Sequence, residues 1–356
     1  KVKGNWEKQK IRGEKGEFVD MQVSILVSAS RSTDIPAFYA EWFFYRLDKA
    51  GYSAWTNPFN GVKSYVSYKN TRFIVFWSKN PKPLLEYLPI LEKHKIGCYI
   101  QYYLNDYEQE TLEKNVPSVS ERIDTFKLLV EKLGYGHVIW RFDPLILTDK
   151  ISIDALLSKI ENIGNQLLGY TEKLVFSFAD ILSYRKVQSN LQKANIHYID
   201  WNEQQMLEFA ERLSELNKKW NYELATCGEK INLSDFGVKK NRCVDDELII
   251  RLAYDDKILM DYLNVTQHPL PQNNLFGELE PLPEGAIMLP NGKYAVHGDN
   301  RAKGQRMFCG CIKSKDIGEY NTCVHGTEYC YANASKGLAS QDLQNHKEYT
   351  YAENIT

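Results

Sequence analysis

No run of apolar residues in this chain approaches the ~20 needed to cross a bilayer as a helix, so a membrane-spanning helix is excluded. Residues 1–17 are polar and no apolar stretch follows them, so no secretory leader is expected. An excess of one charge is also missing. The 44 Lys and Arg against 46 Asp and Glu leave a formal charge of −2, with no global pull toward nucleic acid or an anionic membrane. No glycine-rich phosphate loop follows any strand candidate, which argues against an open dinucleotide-binding sheet. There is no internal repeat and no low-complexity tract. Cysteine is scarce, at 7 in 356 residues. A cytoplasmic, reducing location is the expectation, and there clustered thiols are more often metal ligands than disulfides.

What is present is a chain long enough for one large barrel or two domains. Its 23 tyrosines and 7 tryptophans suggest a polar-lined cleft as well as a core. From residue 23 to about 230, short apolar segments alternate with amphipathic ones. Strands are expected at Val23–Ser28, Tyr52–Trp55, Arg72–Trp77, Gly97–Leu104, His137–Phe142, Lys173–Phe178 and Glu223–Thr226. Several are apolar on both faces, as buried parallel strands are. Helices are expected at Pro36–Lys49, Pro83–His94, Val119–Leu133, Ile153–Leu168 and Glu203–Trp220.

That alternation predicts an α/β fold, a complete or partial parallel (βα) TIM-like barrel with a C-terminal cysteine-rich segment. The chain divides into a polar N-terminal tail over 1–22 and a barrel domain over 23–263. An irregular Pro- and Asn-rich connection or short hairpin follows over 264–305, and residues 306–356 carry the cysteines and a C-terminal tail.

Barrel enzymes place their chemistry where strands give way to the following loops. Those positions are polar here: Arg31 and Asp34 after the first strand, Asn57 after the second, then Lys79, Gln101, and Arg141 with Asp143. Asp34 and Asp180 are equally at home as helix caps. A long cation at the mouth of a buried strand needs an anionic partner. For Arg141 that is a salt bridge to Asp143 or to another strand-end carboxylate, and together these residues suggest a polar pocket able to hold carboxylate or phosphate groups.

Four of the cysteines, Cys309, Cys311, Cys323 and Cys330, fall within 22 residues. Thiolates on short glycine-containing loops can converge on iron or zinc. Cys227 and Cys243 can join Cys309 and Cys311 as a four-thiolate site, either an auxiliary iron–sulfur cluster or structural zinc; equally, they can be buried. Cys98, inside a strand, reads as a small apolar residue. His325 is either a structural hydrogen-bonder or, beside two cysteines, a ligand.

The run Asp316-Ile-Gly-Glu-Tyr-Asn-Thr-Cys323-Val-His-Gly-Thr327-Glu-Tyr-Cys330-Tyr-Ala-Asn resembles the C-terminal motif of a bacterial family described only as a domain of unknown function. Ser28–Tyr39, Asn57-Pro-Phe59, Phe76–Pro81, Trp140–Pro144, Thr226–Glu229 and Cys309-Gly-Cys311 resemble it too, so the likeness covers residue 24 to about 335. In that family the motif is Cys-x3-Cys-x2-Cys, the spacing of radical S-adenosylmethionine (SAM) enzymes, a superfamily that includes spore photoproduct lyase. The resemblance implies a [4Fe–4S] cluster held by three cysteines, with SAM chelated to the free iron and cleaved to a deoxyadenosyl radical. The usual motif follows the first barrel strand, whereas here it arrives after the last, as in a permuted arrangement.

One position departs from the family. Thr327 stands where the middle cysteine belongs, and a hydroxyl is a poor iron ligand beside a thiolate. A degenerate protein, a replacement ligand such as His325 or Cys311, and a different metal are the competing explanations.

The leading expectation is therefore an iron–sulfur, radical SAM-like enzyme acting on an unknown substrate, with Arg31, Asp34, Asn57, Lys79, Gln101, Arg141 and Asp143 binding cofactor or substrate. The alternative is a catalytically silent, zinc- or cluster-stabilised binding protein. Nucleic-acid binding is a lesser expectation, from the aromatics and the basic first sixteen residues.

Overall fold

A computed structural model describes residues 7–57, 60–271, 281–303 and 308–356. Its centre is a sheet of eight parallel strands: β1 (Leu26–Ala29), β2 (Phe73–Ser78), β3 (Gly97–Tyr103), β4 (Val138–Leu145), β5 (Lys173–Phe178), β6 (Glu223–Thr226), β7 (Lys239–Lys240) and β8 (Lys315–Asp316). Their spatial order is β7-β6-β5-β4-β3-β2-β1-β8. The last strand in the chain thus pairs with the first, Lys315 opposite Val27 and Asp316 opposite Ser28. Among the described residues no strand pairing closes this sheet into a barrel. The two edges still touch, since the amide of Ile312, just before β8, donates to the Val244 carbonyl, just after β7, at 3.0 Å.

Each face of the sheet has its own core. Ile74, Phe76, Ile100, Trp140, Phe142, Leu174 and Phe176 face outward and pack against helix residues such as Trp42, Phe126, Leu156 and Phe209. Full burial of each such side chain stabilises the fold by about 1.5–3 kcal/mol. The helices begin where their caps dictate. Ser118 and Glu121 form a reciprocal cap for Val119–Leu133, Ser152 caps Ile153–Gln166, and Asn202 with Gln205 caps Glu203–Asn217. The inward set, Phe73, Val75, Trp77, Tyr99, Ile139 and Val175, meets Val244, Leu248, Ile249 and Ile312 from the segment that folds under the sheet. Strand alternation continues that inward set toward the carboxyl ends as Gln101, Tyr103, Arg141, Asp143 and Ser177. The concave face is apolar at its base and polar at its mouth.

Three expectations change. Tyr52–Thr56 is no barrel strand: it pairs antiparallel with Lys63–Ser67 in a separate four-stranded sheet. Strands Lys8–Arg12 and Phe18–Val23 complete that sheet, so most of the described part of the segment read as a polar tail is structured. Their alternation is only half-buried, which composition alone reads as polar. The helix expected at Pro36–Lys49 is broken into Ile35–Phe38, Ala40–Tyr45 and a wider turn at Arg46–Ala50. The break falls at Tyr39, whose hydroxyl is anchored to the Thr322 carbonyl at 2.7 Å. In the connection, Val265–Pro269, Ile287–Met288 and Lys293–His297 form a small antiparallel sheet; Asn273 and Asn274 lie outside the described residues.

Candidate functional site

Two groups of cysteines flank the mouth. The first gathers Cys227 at the end of β6, Cys243 after β7, and Cys309 with Cys311 from the segment feeding β8. Cys227 and Cys243 have their sulfurs 3.0 Å apart. The amides of Cys243 and Val244 donate to the Cys311 sulfur at 3.3 and 3.4 Å, and Cys311 lowers the neighbouring Cys309 thiol. Arg141 Nη1 and Asn241 Nδ2 donate to the Cys243 sulfur at 3.4 and 3.3 Å. Hydrogen bonds from Cys227 and Cys311, then the charges of Arg141 and Arg31, overcome burial and hold the Cys243 thiol well below its usual range. All seven cysteines are free thiols. Cys98 stands apart in the outward core, its thiol pushed up to about 12 by burial.

The expected polar residues at the mouth largely meet. Arg141 is fully buried and pairs with Asp143, and it donates to Gln101 Oε1 at 3.0 Å. Gln101 donates to the Cys243 carbonyl at 2.8 Å. The Arg31 and Arg141 guanidiniums both lie over the Trp77 ring, 5.2 and 5.7 Å from its centroid. Arg31 is drawn toward the thiols of Cys311, Cys243 and Cys309 and toward Asp316. Asp316 is fixed by Ser28, Ser30 and the Arg31 amide at 2.9, 2.7 and 3.1 Å. Asn57 is the outlier. It ends the strand Tyr52–Thr56 of the second sheet, where its backbone pairs with Val62 and Gly61. Its neighbours Pro58 and Phe59 lie outside the described residues.

The second group is the loop after β8. Cys323 and Cys330 are both partly exposed. Burial, then Asp34 and Cys330, push the Cys323 thiol up. Thr327 lies in this loop, with its backbone bridged to Glu113. His325 is not poised as a ligand: its Nε2 lies 2.6 Å from Asp34 Oδ2 and its Nδ1 faces the Asn115 carbonyl at 3.4 Å. Asp34 also accepts from Ser78 Oγ at 2.6 Å and from the Lys79 and Ala37 amides at 2.8 and 3.0 Å. Cap and loop partner are thus one residue.

Beside this loop, Lys79 Nζ bonds Glu113 at 2.6 Å and the Tyr329 hydroxyl at 2.9 Å. Asn105 Nδ2 reaches the same two groups at 3.0 Å each. Burial opposes ionisation of Glu113, but Lys79 and Arg122 outweigh it and hold the carboxyl at about 2. Glu113, Tyr329 and Asp316 are absent from the residues that strand-end reasoning singles out. Glu113 sits in a loop between β3 and the next helix, where nothing local marks it as a partner of Lys79.

Among the described residues, no group of three or more His, Cys, Asp or Glu side chains stands arranged to hold a metal ion. No helix among them is long and apolar enough to cross a membrane.

The chain matches the family described as Domain of unknown function (DUF1848) over residues 26–332, and it belongs to that family. No match was found among curated proteins or among solved structures.

Proposed function

We propose that this protein is built on the plan of a radical SAM enzyme and is one thiolate short of a standard cluster site. The observation that carries this reading is the position of β8. Last in the chain, it is the edge strand beside β1 and runs directly into the Cys323–Cys330 loop. The cysteine loop therefore follows the strand that is first in space, the permuted equivalent of the usual place.

The donors of that loop do not fit a three-thiolate [4Fe–4S] cluster as they stand. Thr327 supplies a hydroxyl, and both ring nitrogens of His325 are engaged with Asp34 and the Asn115 carbonyl. The mouth keeps the groups that would hold an anionic cofactor or substrate, Arg31, Lys79, Gln101 and Arg141, beside the half-exposed Tyr331. The second reading, a catalytically silent binding protein, is favoured by the same Thr327.

The test is anaerobic reconstitution with iron and sulfide of the protein and of Thr327→Cys. The variant is expected to take up about four more iron and four more sulfide per chain, with added absorption near ~400 nm, and to cleave SAM. Equal iron content in the two proteins would sink the radical SAM plan. A gain of cluster without SAM cleavage would favour the binding protein.

A further inference from the structure

We infer that Cys227, Cys243, Cys309 and Cys311 form a second, independent metal centre: one thiophilic metal unit of double negative charge, held by four thiolates, that pins the two edges of the open sheet together.

Three observations carry this. The four cysteines come from three separate segments, yet they lie together: Cys227 and Cys243 have their sulfurs 3.0 Å apart, the Cys243 amide donates to the Cys311 sulfur at 3.3 Å, and Cys311 acts on the Cys309 thiol. Buried thiols packed for their apolar character have no reason to meet across both edges of a sheet. Secondly, the sulfurs sit among donors rather than acceptors, with Arg141, Asn241 and the amides of Cys243 and Val244 all pointing at them. Such N–H groups are what stabilise anionic sulfur around a metal. Thirdly, cations stand beside the sulfurs. Four thiolates around Zn²⁺, or around a [4Fe–4S]²⁺ core, leave two negative charges. Two guanidiniums, Arg31 and Arg141, bracket Trp77 beside them. Asp143 pairs with the buried Arg141 and Asp316 lies beside the exposed Arg31, and both guanidiniums also face the sulfurs.

As they stand the four sulfurs are not arranged to hold a metal ion, and the contact seen between Cys227 and Cys243 is thiol to thiol. A tetrahedral zinc with Zn–S bonds of ~2.3 Å sets its sulfurs ~3.8 Å apart, so loading parts Cys227 and Cys243 by about 0.8 Å, within the reach of side-chain rotation. Access is provided: Cys309 and Gly310 line a cavity of about 550 Å³ with Lys240, Arg242, His297 and Arg301. The placement assigns the centre a role. Cys243 follows β7 at one edge and Cys311 precedes β8 at the other, so a metal here clamps the seam that no strand pairing closes.

The experiment measures zinc, iron and acid-labile sulfide in the full chain, purified anaerobically and then reconstituted with either zinc or iron and sulfide. The expected result is about one zinc ion per chain, or about four iron with four sulfide. That content should fall at least ten-fold in Cys243→Ser and Cys311→Ser and persist in Cys323→Ser and Cys330→Ser. Zinc without sulfide, or iron with sulfide, tells the two kinds of centre apart. Cys309→Ser, at a partly exposed position, is the variant of choice if the buried ones do not fold, with circular dichroism as the check. The thermal midpoint should drop when the metal is removed by chelation. A folded protein that takes up neither metal would overturn the inference. So would loss of metal in Cys323→Ser with retention in Cys243→Ser. Because Thr327→Cys reads the other loop, failure here and failure of the radical SAM plan are separate results.

Discussion

His325 Nε2 lies 2.6 Å from Asp34 Oδ2, and both side chains are buried. Through this contact the loop after β8 is tied to the cap of the helix that follows β1. Burial alone would raise the Asp34 carboxyl, but His325, Ser78 and the Lys79 amide outweigh it and hold the group below its ordinary range. In His325→Leu, Asp34 keeps its hydroxyl and amide donors and loses its strongest partner. Urea unfolding is expected to show a loss of about 1–3 kcal/mol. Metal uptake by the folded variant should equal that of the parent, and a fall in uptake would make His325 a ligand after all.

Glu113 holds the other side of the loop. Its carboxylate accepts from Lys79, Asn105 and Tyr329, and Arg122 Nη1 approaches its second oxygen at 3.6 Å. Glu113→Gln leaves two buried cations without their counter-charge, so a loss of about 3–5 kcal/mol is expected. The pH dependence has a definite sign. The folded carboxyl sits at about 2 against an ordinary 4.5, so its contribution is complete above pH 4.5 and disappears as pH falls toward 2. The stability gap between the protein and Glu113→Gln should narrow across that window, and a gap constant in pH would exclude the assignment.

Much of this architecture is legible in the residues. Six of the seven expected strands lie in the main sheet, because apolar β-branched and aromatic runs bounded by polar loops have few other uses. Tyr52–Thr56 carries the same local signal and joins a different sheet, since partner choice depends on contacts distant in sequence. β7 and β8 span two residues each, Lys239–Lys240 and Lys315–Asp316, and are hydrophilic, so no periodicity could reveal them. They are strands only because the neighbouring edge supplies the hydrogen bonds. The salt bridge of Arg141 with Asp143 was legible from adjacency along one strand face, whereas that of Lys79 with Glu113 spans 34 residues and was not.

Gly318 follows β8 where the chain passes close to the end of β1. A Cβ at this position would lie 1.8 Å from Ser30 Oγ and 2.6 Å from Ser30 Cβ. Ser30 cannot easily yield, because its hydroxyl is fixed to Asp316 Oδ1 at 2.7 Å. Gly318→Ala is expected to cost about 1–3 kcal/mol, as over-packing does. Hydrogen exchange should locate the loosening in β8 and in the Cys323 loop, with β4 and β5 unaffected. Uniform exchange across the sheet would argue that the β1–β8 contact is no local seam.

Lys315 supplies a test of the same edge from electrostatics. Its ammonium lies 3.8 Å from the centroid of the Trp55 ring, between the main sheet and the second one, and the residue is buried. Burial lowers the amine to about 8 from its ordinary 10.5, with Asp316 opposing. Between these values the unfolded chain binds a proton that the folded one does not, so stability rises with pH there. Below pH 8 the cost of burying the cation is fully present, offset in part by the ring face. Lys315→Met should therefore be more stable than the parent near neutrality, and this advantage should shrink by about 2–3 kcal/mol as pH passes from 8 to 10.5. Guanidinium unfolding of both proteins at several pH values measures it. An advantage that grows with pH would mean that the Trp55 ring, rather than burial, governs this lysine, and that the two sheets are held together by the cation.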